Sequence, residues 1–287
     1  MTDLSVIIPA RNEAETIGEQ LDALLAQEWH GTWDVVVVDN RSTDATRAIV
    51  ESYRHAPISV RVVSAFERPG LNYTRNVGVA STAATSVAFC DADDVVGAGW
   101  VAAMGSALER HEFVTGALEL DRLNPGWLAS SRGRGDERGR PSFYGIFPTA
   151  HGNNLGIRRE TLTSIGGFDE EVGLGVDDVE MSMRAWLRDV ELVYVADAVV
   201  HYRYRSDPVL LWRQGRNYGR GRPLIRQRLG ALGLPAPSPI AGWRSWAWLV
   251  RHLADVRTPE GRAVWTWVAG NRVGQIEGSI RHRSLMI

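Results

Sequence analysis

The sequence predicts an α/β fold: a doubly wound, mixed and mostly parallel sheet flanked by helices, with a helical C-terminal extension. Three observations predict it. From Leu4 to Arg110, short apolar runs alternate with stretches whose apolar residues recur at helical spacing. Asp34 to Asp39 holds four consecutive Val, which suits a parallel strand buried on both faces. Acidic residues gather just after the second and fourth expected strands, at the edge where open α/β sheets bind ligands.

The first strand is Leu4 to Ile8, and Pro9 should stop it because Pro cannot donate to the ladder. Ala10 to Glu15 is a polar loop opening a helix, with Ile17, Leu21, Leu24 and Leu25 on one face. The second strand, Asp34 to Asp39, leads into Asn40-Arg41-Ser42-Thr43-Asp44, a loop able to cap a helix over Ala45 to Tyr53. Ile58 to Val63 reads as a third strand, and Asn72 to Ala80 as a helix carrying Arg75.

The central strand, Ser86 to Phe89, runs straight into Cys90-Asp91-Ala92-Asp93-Asp94. A buried strand ending in clustered acids is costly unless something cationic collects there. Asp91 and Asp93, two apart on a loop, can hold a hard divalent ion, which can in turn hold a diphosphate. An Asp-rich turn is the plainer alternative. Cys90 reads as a small buried strand residue rather than a nucleophile.

Gly97 to Arg110 is expected as a helix and Phe113 to Leu120 as a strand. Ser130 to Pro141 has no apolar side chain before its final Pro, and should be a mobile loop or a lid over an anionic ligand. His151 to Arg159 is a short strand leading to a helix that Gly166-Gly167 can end in the left-handed conformation. Asp177 and Asp178 open a helix over Val179 to Arg188, where acids complement the macrodipole. Leu192 to Val195 and Ala198 to Val200 are two short strands, the second closed by His201. From Asp207 the chain turns rich in Arg and Trp. Val209 to Leu229 carries Arg213, Arg216, Arg220, Arg222, Arg226 and Arg228, and helices are expected around Trp246 to Val256 and around Val264 to Val268, with a boundary near Ser206 separating 1–205 from a mostly helical 206–287.

Composition bounds the function. With 44% hydrophobic and 23% charged residues and a formal net charge of −2, the chain is an ordinary globular protein, not one built to coat nucleic acid. All 32 basic residues are Arg. The single cysteine points to a reducing compartment, and no apolar run approaches the ~20 residues that span a bilayer. Met1 to Ser5 enters a strand at once and does not read as a signal peptide, so a cytoplasmic location is expected. The G-x-G-x-x-G loop of dinucleotide sites and the P-loop signature are both absent.

With these residues in view, the chain resembles family 2 glycosyltransferases, which have the GT-A fold. Pro9-Ala10-Arg11-Asn12-Glu13 is similar to the family's Pro-x-x-Asn-Glu opening, and Val38 to Asp44 to its Val-Asp-Asp-x-Ser-x-Asp, with Asn40 for the second Asp. Asp91-Ala92-Asp93-Asp94 matches its D-x-D-D, Gly166 to Glu170 its GGFDE, Asp177-Asp178-Val179-Glu180 its (Glu/Asp)-Asp-x-Glu helix, and His201 its strand-end His. Six motifs in order are specific where any one alone is weak.

The resemblance implies an inverting transfer of a sugar from a UDP-, GDP- or dTDP-linked donor to an acceptor hydroxyl. Pro9, Ala10, Arg11, Glu13 and Asp39 would shape the base pocket, Arg75 would contact the nucleotide, and Asp91, Ala92 and Asp93 would hold ribose and diphosphate. Asp93 and His201 would ligate Mg²⁺ or Mn²⁺. Asp178 would be the general base, and Asp177 would orient the site or the acceptor. The Gln-x-x-Arg-Trp motif of cellulose-synthase relatives is not matched at Gln214 to Tyr218. The arginines after Val209 could line a site for a lipid-linked phosphate acceptor, rest peripherally on the inner membrane face, or form a solvated surface. A non-catalytic sugar-nucleotide scaffold is one alternative. A nucleotidyltransferase is another, although it usually has a Gly- and Lys-rich first loop.

Overall fold

The computed structural model describes residues 2–131, 140–173, 175–240 and 242–286. The N-terminal half alternates as expected: β1 (Leu4–Ala10), α1 (Ile17–Leu25), β2 (Trp33–Asp39), α2 (Thr46–Ser52), β3 (Ser59–Ser64), α3 (Leu71–Ala80) and β4 (Ser86–Cys90). Next come β5 (Val95–Val96), α4 (Trp100–Leu108), β6 (Phe113–Glu119), α5 (Gly126–Ser130), a hairpin of β7 (Ser142–Phe143) and β8 (Phe147–Pro148), and β9 (Asn154–Arg158). Then follow α6 (Arg159–Ser164), α7 (Asp177–Trp186), β10 (Leu192–His201), α8 (Pro208–Ala231), α9 (Trp243–Arg251) and α10 (Pro259–Arg281).

Eight strands form one sheet in the order β3-β2-β1-β4-β9-β6-β10-β5. The pairs β1–β2, β1–β4, β2–β3 and β6–β10 are parallel. β9 is antiparallel to both β4 and β6, and β5 to β10. Side chains alternate across the sheet as strand geometry demands. Leu4, Val6 and Ile8 face a layer built on Ile17, Leu21, Val50, Trp100 and Met104. Ile7, Val36 and Val38 face the opposite layer, with Leu162, Ile165, Met181 and Ala185.

Several boundaries differ from the sequence expectation. Pro9 does not stop β1, because the β1–β4 ladder ends at Ile7↔Phe89 while β1–β2 continues to Ala10↔Asp39. Beyond Ile7 the strand has a partner on one side only, where a missing donor is tolerated. The two short strands before His201 are one strand, with a register shift between Val195 and Val199. The helix expected to run to Val256 ends at Arg251 and is followed by a 3₁₀ stretch, Leu253–Arg257. β5 and the β7–β8 hairpin are too short to carry a periodic signal. Most of the polar segment from Ser130 to Pro141 lies outside the described residues.

The C-terminal helices pack on the sheet domain through Ile225 and Leu229, which join Phe143, Phe147, Val172, Val176 and Met183. α8 starts at Pro208, capped by the Asp207 side chain, which accepts from Leu210 N at 2.9 Å. α8 and α10 run side by side at very close range. A Cβ at Gly219 would lie 2.0 Å from Asn271 O, and one at Gly274 2.0 Å from Arg216 O. Only glycine fits at such a crossing. No described helix is long and apolar enough to cross a membrane.

Candidate active site

The site is built where β4 ends. Cys90 is buried, and burial pushes its thiol well above the ordinary range, so it is an inert strand residue. After it, carboxylate oxygens of Asp91, Asp93 and Asp94 converge within 4.8 Å of one another. Asp94 is buried and accepts from Asn153 Nδ2 at 2.6 Å and from Arg203 N at 2.8 Å. Asp91 and Asp93 remain more open. The loop is pinned by Gln20, buried on α1, which donates to Asp91 O at 3.0 Å and accepts from Val96 N at 2.9 Å.

The cluster concentrates negative charge that Arg75 and Arg205 only partly offset. Burial pushes Asp91 up to about 6 against the pull of Arg75, and raises Asp93 against the pull of Arg205. Asp94 is raised well above the carboxylate range by burial and by its two neighbours. Glu13 is pushed up to about 7 by burial and then by Asp93. Oxygen donors with raised pKa values gathered in one place fit a hard divalent cation.

Arg75 is the centre of the arrangement. It is 2% exposed, donates to Asp177, donates to Gly152 O at 2.9 Å, and lies 3.9 Å from Asp91 Oδ1. Its guanidinium sits over the Phe168 ring at 5.2 Å. One buried cation therefore ties the β4 acids to the start of α7. Asp178, the next residue, accepts from Gly152 N at 3.0 Å and Val179 N at 2.8 Å. Burial and then Asp177 push it up to about 7. A carboxylate poised near neutrality, held by backbone donors, suits proton abstraction at physiological pH.

The loop after β1 and the loop after β2 are laced together. Asn12 N donates to Ser42 Oγ at 3.0 Å, Thr43 N to Asn12 Oδ1 at 2.8 Å, and Glu13 N to Thr46 Oγ1 at 2.8 Å. Asp39 is buried and accepts from Ser42 N at 3.0 Å. Pro9, Ala10, Arg11 and Glu13 thus share one edge of the sheet with Asp39, and Glu13 reaches toward Asp93. Arg11 is exposed. His201, at the end of β10, is not among the three residues whose ligand atoms converge. Its Nδ1 pairs with Glu119 Oε2 at 2.6 Å, while its Nε2 faces Gly97.

Sequence reasoning passed over several residues the site uses. Arg205 opposes the pKa rise at Glu13, Asp91 and Asp93 at once. Arg203 donates to Asp93 O at 2.8 Å and pairs with Glu19 at 2.7 Å. The signal was present, since Arg203 and Arg205 alternate after a strand end that already carries His201. Gln20 and Gly152 gave no local signal.

A model described as "Glycosyl transferase family 2" matches residues 5–166, and one described as "Glycosyl transferase family group 2" matches residues 128–271. The glycosyltransferase AglE of Haloferax volcanii is 27% identical over 216 residues, covering 74% of this chain and 71% of that protein. A beta-monoglucosyldiacylglycerol synthase of Synechocystis is 24% identical over 228 residues, 75% of this chain and 47% of the relative. Among solved structures, the mannosyltransferase PcManGT of Pyrobaculum calidifontis, in complex with GDP-Man and Mn²⁺, aligns over 96% of this chain and 86% of that one. Its TM-score is 0.66 at 20% identity. Glucosyl-3-phosphoglycerate synthase of Mycobacterium tuberculosis, in complex with Mn²⁺, UDP-Glc and phosphoglyceric acid, aligns over 82% of this chain and 81% of its own, with a TM-score of 0.54 at 21% identity. With its family match spanning the first four strands and the acid cluster, on a curled mixed sheet of GT-A type, the chain belongs to glycosyl transferase family 2.

Proposed function

We propose that the protein transfers a sugar from a nucleoside-diphosphate donor to an acceptor hydroxyl by direct displacement, inverting the anomeric centre. The observation that carries this reading is Asp178: a buried carboxylate pushed up to about 7, held by Gly152 N and Val179 N, and linked to the β4 acids through Asp177 and Arg75. In the proposed step the acceptor oxygen attacks the anomeric carbon and its proton passes to Asp178. The bond to the diphosphate oxygen breaks, and the nucleoside diphosphate leaves with the electron pair. Asp177, fixed by Arg75 and by Gly175 N at 2.9 Å, keeps Asp178 in place.

On the donor side, Pro9, Ala10, Arg11, Glu13 and Asp39 take the base, and Asp91 takes the ribose. Asp93 would hold Mg²⁺ or Mn²⁺, with His201, its tautomer set by Glu119, as a further ligand or a phosphate contact. Such an ion supplies charge stabilisation for the leaving diphosphate. Arg75 and Arg205 add cations beside the same acids. Residues 1–205 form the donor and catalytic unit in this reading, and 206–287 shape the acceptor side.

The test is a thermal-shift screen of UDP-, GDP- and dTDP-sugars with and without Mn²⁺ or Mg²⁺. A donor at 100 times its Kd stabilises the fold by about 2.7 kcal/mol. One nucleotide should give a metal-dependent shift that Asp93→Ala abolishes. No shift with any donor would overturn the reading of a working donor site.

A further inference from the structure

The C-terminal helices carry many arginines, and the structure separates them by partner. Arg216 and Arg220 both bind Glu277. Arg228 binds Asp169 and Glu180. Arg226 donates to Pro237 O at 3.0 Å and to Ser284 Oγ at 3.1 Å. Arg222 and Arg272 are different. Arg222 Nη1 and Arg272 Nη2 each donate to the single oxygen Asn271 Oδ1 at 2.9 Å, and neither has a carboxylate partner among the described residues. Arg272 is only 7% exposed, with its Nε unpaired.

The surroundings are short of partners in the same way. Asn271 Nδ2 is buried and unpaired, and Gln275, 0% exposed, has neither side-chain polar atom paired. Buried polar atoms normally find a partner, and one left unpaired costs about 1–3 kcal/mol. Three unpaired donors and one unpaired acceptor, Gln275 Oε1, stand with two guanidiniums and no acid partner, a donor-rich set that suits an oxyanion. Burial, and the like charge of Arg222, hold Arg272 below its ordinary pKa, with Tyr144 of the β7–β8 hairpin acting in the other direction. Arg222 is half-buried.

Arg222 follows Gly221 on α8, and Gly221 lines a cavity with Asp177, Asn217 and Arg220. Gly221 packs on Val176, and Tyr218, one turn earlier, packs on Gly175. Those two residues lead directly into Asp177 and Asp178. We propose that Arg222 and Arg272, with Asn271 and Gln275, form an oxyanion site, separate from the β4 acid cluster, that takes a phosphate group carried by the acceptor. The link to the acceptor rests on the glycosyl-transfer reading above; binding of the anion does not.

The experiment titrates inorganic phosphate into the full chain by calorimetry, with chelator present and no nucleotide. Without metal, the donor acids repel an anion. Wild type and Asp93→Ala should bind alike. Arg222→Gln should bind at least about tenfold more weakly, a difference of about 1.4 kcal/mol. Arg222→Lys, which keeps the charge and loses the fork, should fall between them. Arg272→Met serves as a second variant, with folding checked by circular dichroism. Flotation with phosphatidylglycerol vesicles distinguishes the sources. Arg222-dependent vesicle binding assigns a lipid headgroup; phosphate binding without vesicle binding assigns a soluble phosphorylated acceptor. No phosphate binding by wild type at tens of millimolar, or equal binding by Arg222→Gln, overturns the site. The metal-dependent donor shift is read on the same variants, so loss of the donor reading and loss of the anion site are seen separately.

Discussion

At the scale of single residues, Asp178 and Arg75 carry the sharpest expectations. Asp178→Asn keeps the shape and one of the two backbone contacts but removes the base. Donor-induced stabilisation should survive while transfer falls by about 10²–10⁴-fold. Turnover close to wild type would sink the assignment. Because the Asp178 carboxyl is pushed up to about 7, kcat/KM should climb with pH through that value as the base ionises. Arg75 is a different case. It is the buried cation between Asp177 and Asp91, so Arg75→Met leaves acids without a counter-charge. Breaking a buried pair from one side costs about 3–5 kcal/mol, measurable by urea unfolding.

At the scale of elements, the α8–α10 pair is set by backbone contact rather than by large side chains. Gly219→Ala or Gly274→Ala places a methyl 2.0 Å from a carbonyl oxygen of the other helix, so the helices must separate. A loss of about 1–3 kcal/mol is expected for each, read from the midpoint of chemical unfolding. An unchanged midpoint would mean that stability does not depend on this close approach. The same pairing explains why the arginines of α8 could not be sorted from sequence. Their spacing showed that they share a helix, but which ones meet Glu277 and which meet Asn271 depends on how α10 crosses. The β7–β8 hairpin that brings Tyr144 to this junction is two residues per strand and gave no pattern to read.

At the scale of the whole molecule, the acid clusters should set the pH dependence of stability. Asp91 at about 6, and Asp178 and Glu13 at about 7, all lie above their ordinary values because they are buried. The folded chain then holds more protons than the unfolded one between about pH 4 and pH 7. Their contribution to stability is fully present below their unfolded pKa values and is lost as pH rises through the folded ones. The metal-free protein should therefore melt lower at pH 8 than at pH 5.5, and Mn²⁺ or Mg²⁺ should recover more of the loss at the higher pH. Asp178→Asn, lacking one titrating group, should show a shallower decline than wild type. A decline as steep as wild type would rule out Asp178 as a contributor.

Much of the fold was legible in the chain itself. Alternating apolar patterns, the Val run of β2 and the acids after β4 are local properties, and local sequence carries them directly. The resemblance in motif placed Asp91, Asp93, Asp177 and Asp178 in one list. Only the tertiary structure brought them together, because Arg75 and Gly152, which join α3, the β9 approach and α7, are far apart in sequence. The sheet order also lay beyond the sequence: β9 inserts antiparallel between β4 and β6, a long-range pairing with no local signature. Likewise Arg203 and Arg205, Gln20 and the Arg222–Arg272 pair owe their roles to what faces them. Sequence determines the kind of element and the kind of charge at each position. Which charges are left without a partner is decided by burial and packing across the folded chain.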